Sequence, residues 1–134
     1  MFTIRKEMKF EMAHRLVSSF HKPCQRWHGH SYVLELFFRS EELNDDGMVI
    51  DFAEVKAKIG DYVDSWDHIM VINKEDPHLD KMLETIPDGI KIVNYNPTAE
   101  LMAKDMFEYI KDQIPQLYKV RLHETVTGYA EYKQ

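Results

Sequence analysis

His28-Gly29-His30 sets two imidazoles two residues apart. In an extended strand such residues project to the same side with Cα atoms about 6.5 Å apart, so both rings can reach one cation. A third imidazole, His14, ends an alternating segment upstream; if the two strands pair, His14 lies near His28 and completes a facial set of three. Three protein nitrogens at about 2.0–2.1 Å suit zinc and leave a fourth position for water or substrate, as a catalytic site requires. The competing account is a row of hydrogen-bonded histidines at the wet rim of a sheet. His21, His78 and His123 fall on predicted loops or an outward face and call for no metal. Cys24, four residues before His28, either closes the site as a fourth ligand or stands beside it as a base with a thiolate stabilised by the cation; the spacing leaves both roles open. Asp67-His68 supplies a carboxylate and an imidazole, the groups that orient and relay a proton, although such dipeptides are also ordinary on surfaces. Glu124 interrupts an apolar strand face. A buried carboxylate there needs donors, and a heterocycle with a ring N–H beside an exocyclic amine offers two; a solvated strand edge is the alternative.

These groups require elements that aim them. From Phe2 to His14 the even positions read Phe2, Ile4, Lys6, Met8, Phe10, Met12, His14, a period-two face that is apolar except at Lys6. His14 therefore points inward. Residues 16–27, with Ser18, Ser19 and Pro23, read as a loop carrying Cys24. From His28 to Phe38 the two histidines share a face with Tyr32, Leu34, Leu36 and Phe38. Residues 41–47 end in Asp46-Gly47, a turn signal. Asp51 followed by Glu54 has the spacing of a capping box, ahead of a helix with Phe52, Val55, Ile59, Tyr62, Val63 and Trp66 on one face, ending near Trp66. The run Ile69-Met70-Val71-Ile72 follows, then a short helix within 77–86 and a short strand over 90–95. Thr98 starts a second amphipathic helix through Met102, Met106, Tyr109, Ile110 and Ile114, stopped by Pro115. The last strand, residues 118–126, puts Tyr118, Val120, Leu122, Glu124 and Val126 on one face. Two long helices segregated from antiparallel strand pairs give an α+β class.

The chain has 134 residues, 44% of them hydrophobic, enough for the core of one domain and too few for two. A net charge of -6 without a basic cluster argues against a surface that tracks nucleic-acid phosphates. The longest apolar run has four residues, far short of the roughly 18 that a membrane helix needs, and charges at Arg5 and Lys6 forestall a secretory signal; a cytoplasmic protein with no membrane partner is the expectation. A single cysteine forms no internal disulfide.

The ordered set Phe10-Glu11-Met12-Ala13-His14, Cys24-x-x-x-His28-Gly29-His30, Gly47-Met48-Val49-Ile50-Asp51-Phe52, Asp67-His68, Pro97-Thr98-Ala99-Glu100 and Glu124-Thr125 resembles the 6-pyruvoyl-tetrahydropterin synthase family nearly end to end. The short interval between Cys24 and His28 is similar to the bacterial 6-carboxy-tetrahydropterin synthase branch. The resemblance implies a tunnelling fold (T-fold) over residues 1–134, an antiparallel sheet with two long helices on one face. It further implies trimers that close into a barrel and stack into hexamers, with active sites between subunits. Carried over by position, it implies that His14, His28 and His30 bind zinc, Cys24 is the catalytic base, Asp67 and His68 support proton transfer, and Glu124 anchors the pterin. The implied reaction converts 7,8-dihydroneopterin triphosphate to 6-carboxy-5,6,7,8-tetrahydropterin, releasing acetaldehyde and triphosphate, a step toward queuosine. A pyruvoyl-forming synthase on the same scaffold, and a non-catalytic zinc-containing module that captures a purine-like ligand, are the alternatives. Met12, Trp66 and the 73–90 segment depart from the family pattern and bear on the choice of substrate.

Overall fold

In the computed structural model, which describes residues 1–134, the alternating first segment forms strand β1 (Phe2–His14). It pairs antiparallel with β2 (His28–Ser40), setting Phe10 opposite Tyr32, Met12 opposite His30 and His14 opposite His28. Asn44 folds the following turn by accepting the Asp46 and Met48 N–H groups on its side chain, and Gly47 takes φ 77, a conformation glycine adopts without Cβ strain. Helix α1 (Phe52–Asp64) starts where Asp51 accepts the Ala53 N–H at 2.7 Å. Glu54 does not reach back to close a capping box; it pairs with Lys58 at 2.8 Å, one turn on.

Four further strands and two helices complete the chain: β3 (Ile69–Asn73), α2 (Leu79–Thr85), β4 (Ile90–Val93), α3 (Ala99–Gln113), β5 (Leu117–Thr125) and β6 (Gly128–Lys133). They form one six-stranded sheet in the order β4-β3-β1-β2-β5-β6. The α+β class holds, but the sheet is mixed where an antiparallel one was expected, because β3 runs parallel to β1 and β4 parallel to β3. The crossover through α1 returns the chain in the direction of β1. It is completed at His68, whose φ of 56 turns the backbone sharply and whose N–H donates to the Glu11 carbonyl. The expected last strand also ends earlier than its pattern implied. Val126 is fully exposed in a turn, and β6 comes back to pair with β5, placing Ala130 opposite Leu122. The turn Thr125-Val126-Thr127-Gly128 carries no Asn-Gly or Asp-Gly signal, so the hairpin is hard to read from sequence.

The core lies between the even-numbered face of β1 and β2 and the two long helices. Phe10, Met12, Tyr32, Leu34, Leu36 and Phe38 meet Val55, Ile59 and Val63 of α1 and Met102, Met106, Phe107 and Ile110 of α3. Phe52, expected on the buried face of α1, is 46% exposed, with the Lys6 ammonium 5.8 Å from its ring centroid; this accounts for the lone charge on the apolar face of β1. Met12 and Trp66, two of the three departures from the family pattern, are both core residues. The odd-numbered face carries an ionic network instead. Buried Glu35 accepts from Arg5 and lies 2.6 Å from His123 Nε2 and 3.5 Å from Arg121. Burial pushes the Glu35 carboxyl up, but His123, Arg5 and Arg121 together hold it below its ordinary range. No helix is long and apolar enough to cross a membrane.

Candidate active site

The register of β1 and β2 brings the three predicted imidazoles together. His14 is 1% exposed, His28 and His30 are half-buried, and one donor atom from each lies within 4.8 Å of the others. Ring centroids are 4.6 Å apart for His14 and His28, 5.0 Å for His28 and His30, and 5.4 Å for His14 and His30. Backbone carbonyls orient two of the rings. His14 Nδ1 donates to Pro97 O at 2.7 Å, and His28 Nδ1 donates to Arg26 O at 2.8 Å. Each contact places a proton on Nδ1, so that in the neutral imidazole Nε2 carries the lone pair, the arrangement that metal-binding histidines use. Burial, reinforced by His28 and His30 and opposed by the Pro97 carbonyl, takes the His14 pKa down to about 4; burial and His28 also lower that of His30. Neutral imidazoles at neutral pH are what a divalent cation requires of its ligands. Tetrahedral zinc holds donor nitrogens roughly 3.4 Å apart, within reach of these side chains by small rotations about χ1 and χ2. The donor set therefore fits zinc.

Glu124, at the end of β5, comes to the same place. Its Oε1 is 3.7 Å from His14 Nε2, and its side chain is 31% exposed. Burial and the nearby charge of Glu100 raise its carboxyl pKa, opposed by His28. Glu100 and Glu124 share a cleft of about 200 Å³ with Ala99, Thr125, Gly128, Tyr129 and Ala130. Glu100 stands inside the Pro97-Thr98-Ala99-Glu100 motif, but sequence reasoning gave it no role; its position at the N-terminus of α3, whose Thr98 cap accepts the Leu101 N–H, is the only sequence signal it carries. Tyr32 was likewise read only as an apolar neighbour. Its hydroxyl reaches His14 Nε2 at 3.4 Å.

Cys24 stands outside this cluster, and the Asp67-His68 pair borders it through a cleft shared with His30. Cys24 sits in a single 3-10 turn (Lys22–Gln25), its carbonyl accepting the Leu16 N–H at 2.8 Å, and the three imidazoles converge without its sulfur. Arg15 ties this loop to the rest of the protein, bonding Gln25 O at 3.2 Å and gripping Asp76 through two hydrogen bonds of 2.7 and 2.9 Å. Asp67 accepts the Glu11 N–H at 2.7 Å on one oxygen and meets His68 Nδ1 at 2.8 Å with the other, so the dyad is preformed. The Glu11 N–H and His68 lower the Asp67 carboxyl pKa. The His68 side chain is 78% exposed and lines an open cleft of about 420 Å³ with Glu11, Ala13, Gly29, His30 and Ser31. The cleft therefore sets His68 on the same opening as His30, one of the three imidazoles. Of the histidines set aside in the sequence, His123 joins the Glu35 network and His78 precedes α2, its N–H donating to Asp76.

This arrangement can hold a cation on three nitrogens, present a carboxylate beside it, and supply a carboxylate-oriented imidazole. Comparison with known proteins gives the family. The family model described as 6-pyruvoyl tetrahydropterin synthase matches residues 3–134. A 6-carboxy-5,6,7,8-tetrahydropterin synthase of Aquifex aeolicus is 32% identical over 98% of this chain and 97% of its own. Among solved structures, the 6-pyruvoyl tetrahydropterin synthase of Caenorhabditis elegans superposes with a TM-score of 0.73 at 29% identity, covering 99% of this chain and 95% of its own. An uncharacterized protein of Wolinella succinogenes shares the fold at a TM-score of 0.87 and 23% identity, covering 99% of this chain and 98% of its own. Matched over residues 3–134 by the family model and nearly end to end by these relatives, the chain belongs to the 6-pyruvoyl tetrahydropterin synthase family.

Proposed function

We propose that this chain is a zinc-dependent lyase that converts 7,8-dihydroneopterin triphosphate and one water to 6-carboxy-5,6,7,8-tetrahydropterin, acetaldehyde and triphosphate. The observation that carries the reading is the convergence of His14, His28 and His30 beside Glu124. The Aquifex aeolicus relative, matched end to end and named for the carboxy product, favours this reaction over the pyruvoyl-forming one. His14, His28 and His30 would hold the zinc, with carbonyls of Pro97 and Arg26 fixing two of the rings. Zinc supplies Lewis-acid polarisation of the substrate's side-chain hydroxyls, which eases loss of their protons. Glu124 presents two acceptor oxygens to the ring N–H and exocyclic amine of the pterin. Cys24 acts as the base that removes a proton from the substrate side chain, and His68, oriented by Asp67, relays protons.

The placement of these groups supports sites built between subunits. The His68 side chain is 78% exposed in an open cleft beside His30, and the sheet ends in β4 on one edge and β6 on the other, two strands with unpaired backbone groups. Pairing edges between copies satisfies them and curls the sheets into a barrel, and the charged face around Glu35 would then line its interior. A hexamer made of two stacked trimers is the assembly proposed.

Product analysis tests the reaction. Zinc-loaded protein incubated with 7,8-dihydroneopterin triphosphate should yield acetaldehyde and a carboxypterin in equal amounts. Triphosphate release with the three-carbon side chain retained would instead identify a pyruvoyl-forming enzyme, and pterin binding without turnover a binding module.

A further inference from the structure

Tyr32 is buried as deeply as His14, 1% exposed, and the reaction outlined above makes no use of it. Its ring is fixed from three sides. It stacks on Phe10 with centroids 5.2 Å apart and planes 9° from parallel, and it meets His30 and His14 edge-on at 5.5 and 6.2 Å. With the ring held this way, the hydroxyl has one hydrogen-bond partner, His14 Nε2, at a long 3.4 Å. Since His14 Nδ1 donates to Pro97, Nε2 is the acceptor and the hydroxyl the donor.

That acceptor is the nitrogen a metal would take. A lone pair bound to a cation no longer accepts a hydrogen bond, so loading the three histidines deprives a buried hydroxyl of its only partner. An unsatisfied buried donor is unfavourable, and the bond given up is long and weak, so the proton turns to the next acceptor. Glu124 is in place for it. Val33 pairs with His123 across β2 and β5, so one residue further on Tyr32 and Glu124 stand level, and Glu124 Oε1 already lies 3.7 Å from the same His14 nitrogen.

We infer that Tyr32 is a positioning residue which, on metal loading, moves its hydrogen bond from His14 Nε2 to the Glu124 carboxylate and so orients that carboxylate for the pterin. The inference rests on the proposed reading of His14, His28 and His30 as zinc ligands and of Glu124 as the pterin anchor. A carboxylate has about four lone-pair directions, so accepting the Tyr32 proton leaves both oxygens able to meet the two ring donors. Metal and pterin then bind cooperatively through a side chain that touches neither directly.

The measurement is the linkage between the two ligands. The probe is 6-methylpterin, which lacks side-chain hydroxyls that could themselves reach a metal. Its affinity is titrated with and without stoichiometric zinc, in wild type and in Tyr32→Phe, which keeps the stacked ring. The field of the cation acts on Glu124 in both proteins, so the ratio of the two zinc effects isolates the hydroxyl. The zinc-induced gain in pterin affinity should be about tenfold larger in wild type, within the usual range of coupling between sites. In a Glu124→Gln background, Tyr32→Phe should change the linkage by much less. Stoichiometric zinc with equal linkage in wild type and Tyr32→Phe overturns the inference alone. Failure of wild type to bind zinc at His14, His28 and His30 overturns the metal reading, and the inference with it.

Discussion

Asp76→Ala should destabilise the protein by about 2–4 kcal/mol. The Asp76 side chain is 1% exposed and that of Arg15 11% exposed, and two hydrogen bonds join them in a planar fork. Removing one member of a buried ion pair typically costs about 3–5 kcal/mol, because the remaining charge is left without a counterion. The partial exposure of Arg15 and its remaining bond to Gln25 O lower that figure, whereas losing the acceptor for the His78 N–H adds to it. Urea denaturation at fixed protein concentration reads the effect. With a slope of roughly 2 kcal/mol per M urea, the midpoint should fall by about 1–2 M with the slope unchanged. Asp76→Asn keeps one oxygen for Arg15 and should fall between the two. The effect should also depend on pH. Burial pushes the Asp76 carboxyl up, but Arg15 and the His78 N–H outweigh it and hold the folded-state pKa below the ordinary value. A carboxyl with a depressed folded pKa contributes its stability above its unfolded pKa, about 3.9, and loses it as pH falls through the lower folded value. The gap between wild type and Asp76→Ala should therefore be constant from pH 7 to about 5 and narrow below about pH 4. A midpoint shift under about 0.3 M at pH 7, or a gap that widens in acid, would refute the reasoning.

Three substitutions test the site itself. His30→Ala should abolish stoichiometric zinc while leaving the fold, because the core is apolar and lies beyond the triad; metal analysis of the purified protein decides it, and full occupancy would remove His30 from the ligand set. Glu124→Gln should weaken pterin binding and leave zinc in place, since the amide loses the charge and one acceptor; unchanged affinity in a pterin titration counts against it. Cys24→Ala should retain zinc and pterin binding but turn over roughly 10²–10⁴-fold more slowly, the usual loss when general-base assistance is removed. Zinc loss in that variant would make Cys24 a ligand, and wild-type turnover would leave it without a role.

What could be read in advance follows from how far apart in the chain each feature is specified. The strands β1 and β2 and the helix α3 announce themselves locally, through alternation from Phe2 to His14 and from His28 to Phe38 and through the spacing of Met102, Met106 and Ile110. Because side chains in a strand alternate with period two, the inward phase of Phe10 and Met12 carries His14 with it, and one antiparallel pairing then suffices to gather three imidazoles. The features that were missed depend on neighbours distant in sequence. Glu35 looks like a polar residue on an outward face until Arg5 from β1 and His123 from β5 are set beside it. The parallel pairing of β3 cannot be inferred from Ile69-Met70-Val71-Ile72, since a buried apolar run is compatible with either direction. Asp67-His68 shows both kinds of information. Its chemistry is plain from two adjacent letters, whereas its usefulness comes from two backbone contacts with Glu11, 56 and 57 residues earlier: the N–H that holds the Asp67 carboxylate and the carbonyl that receives the His68 N–H. Those contacts exist because β3 lies parallel to β1 with Met12 opposite Ile69. The strand pairing that the sequence conceals is therefore what turns an ordinary dipeptide into an oriented acid–base pair.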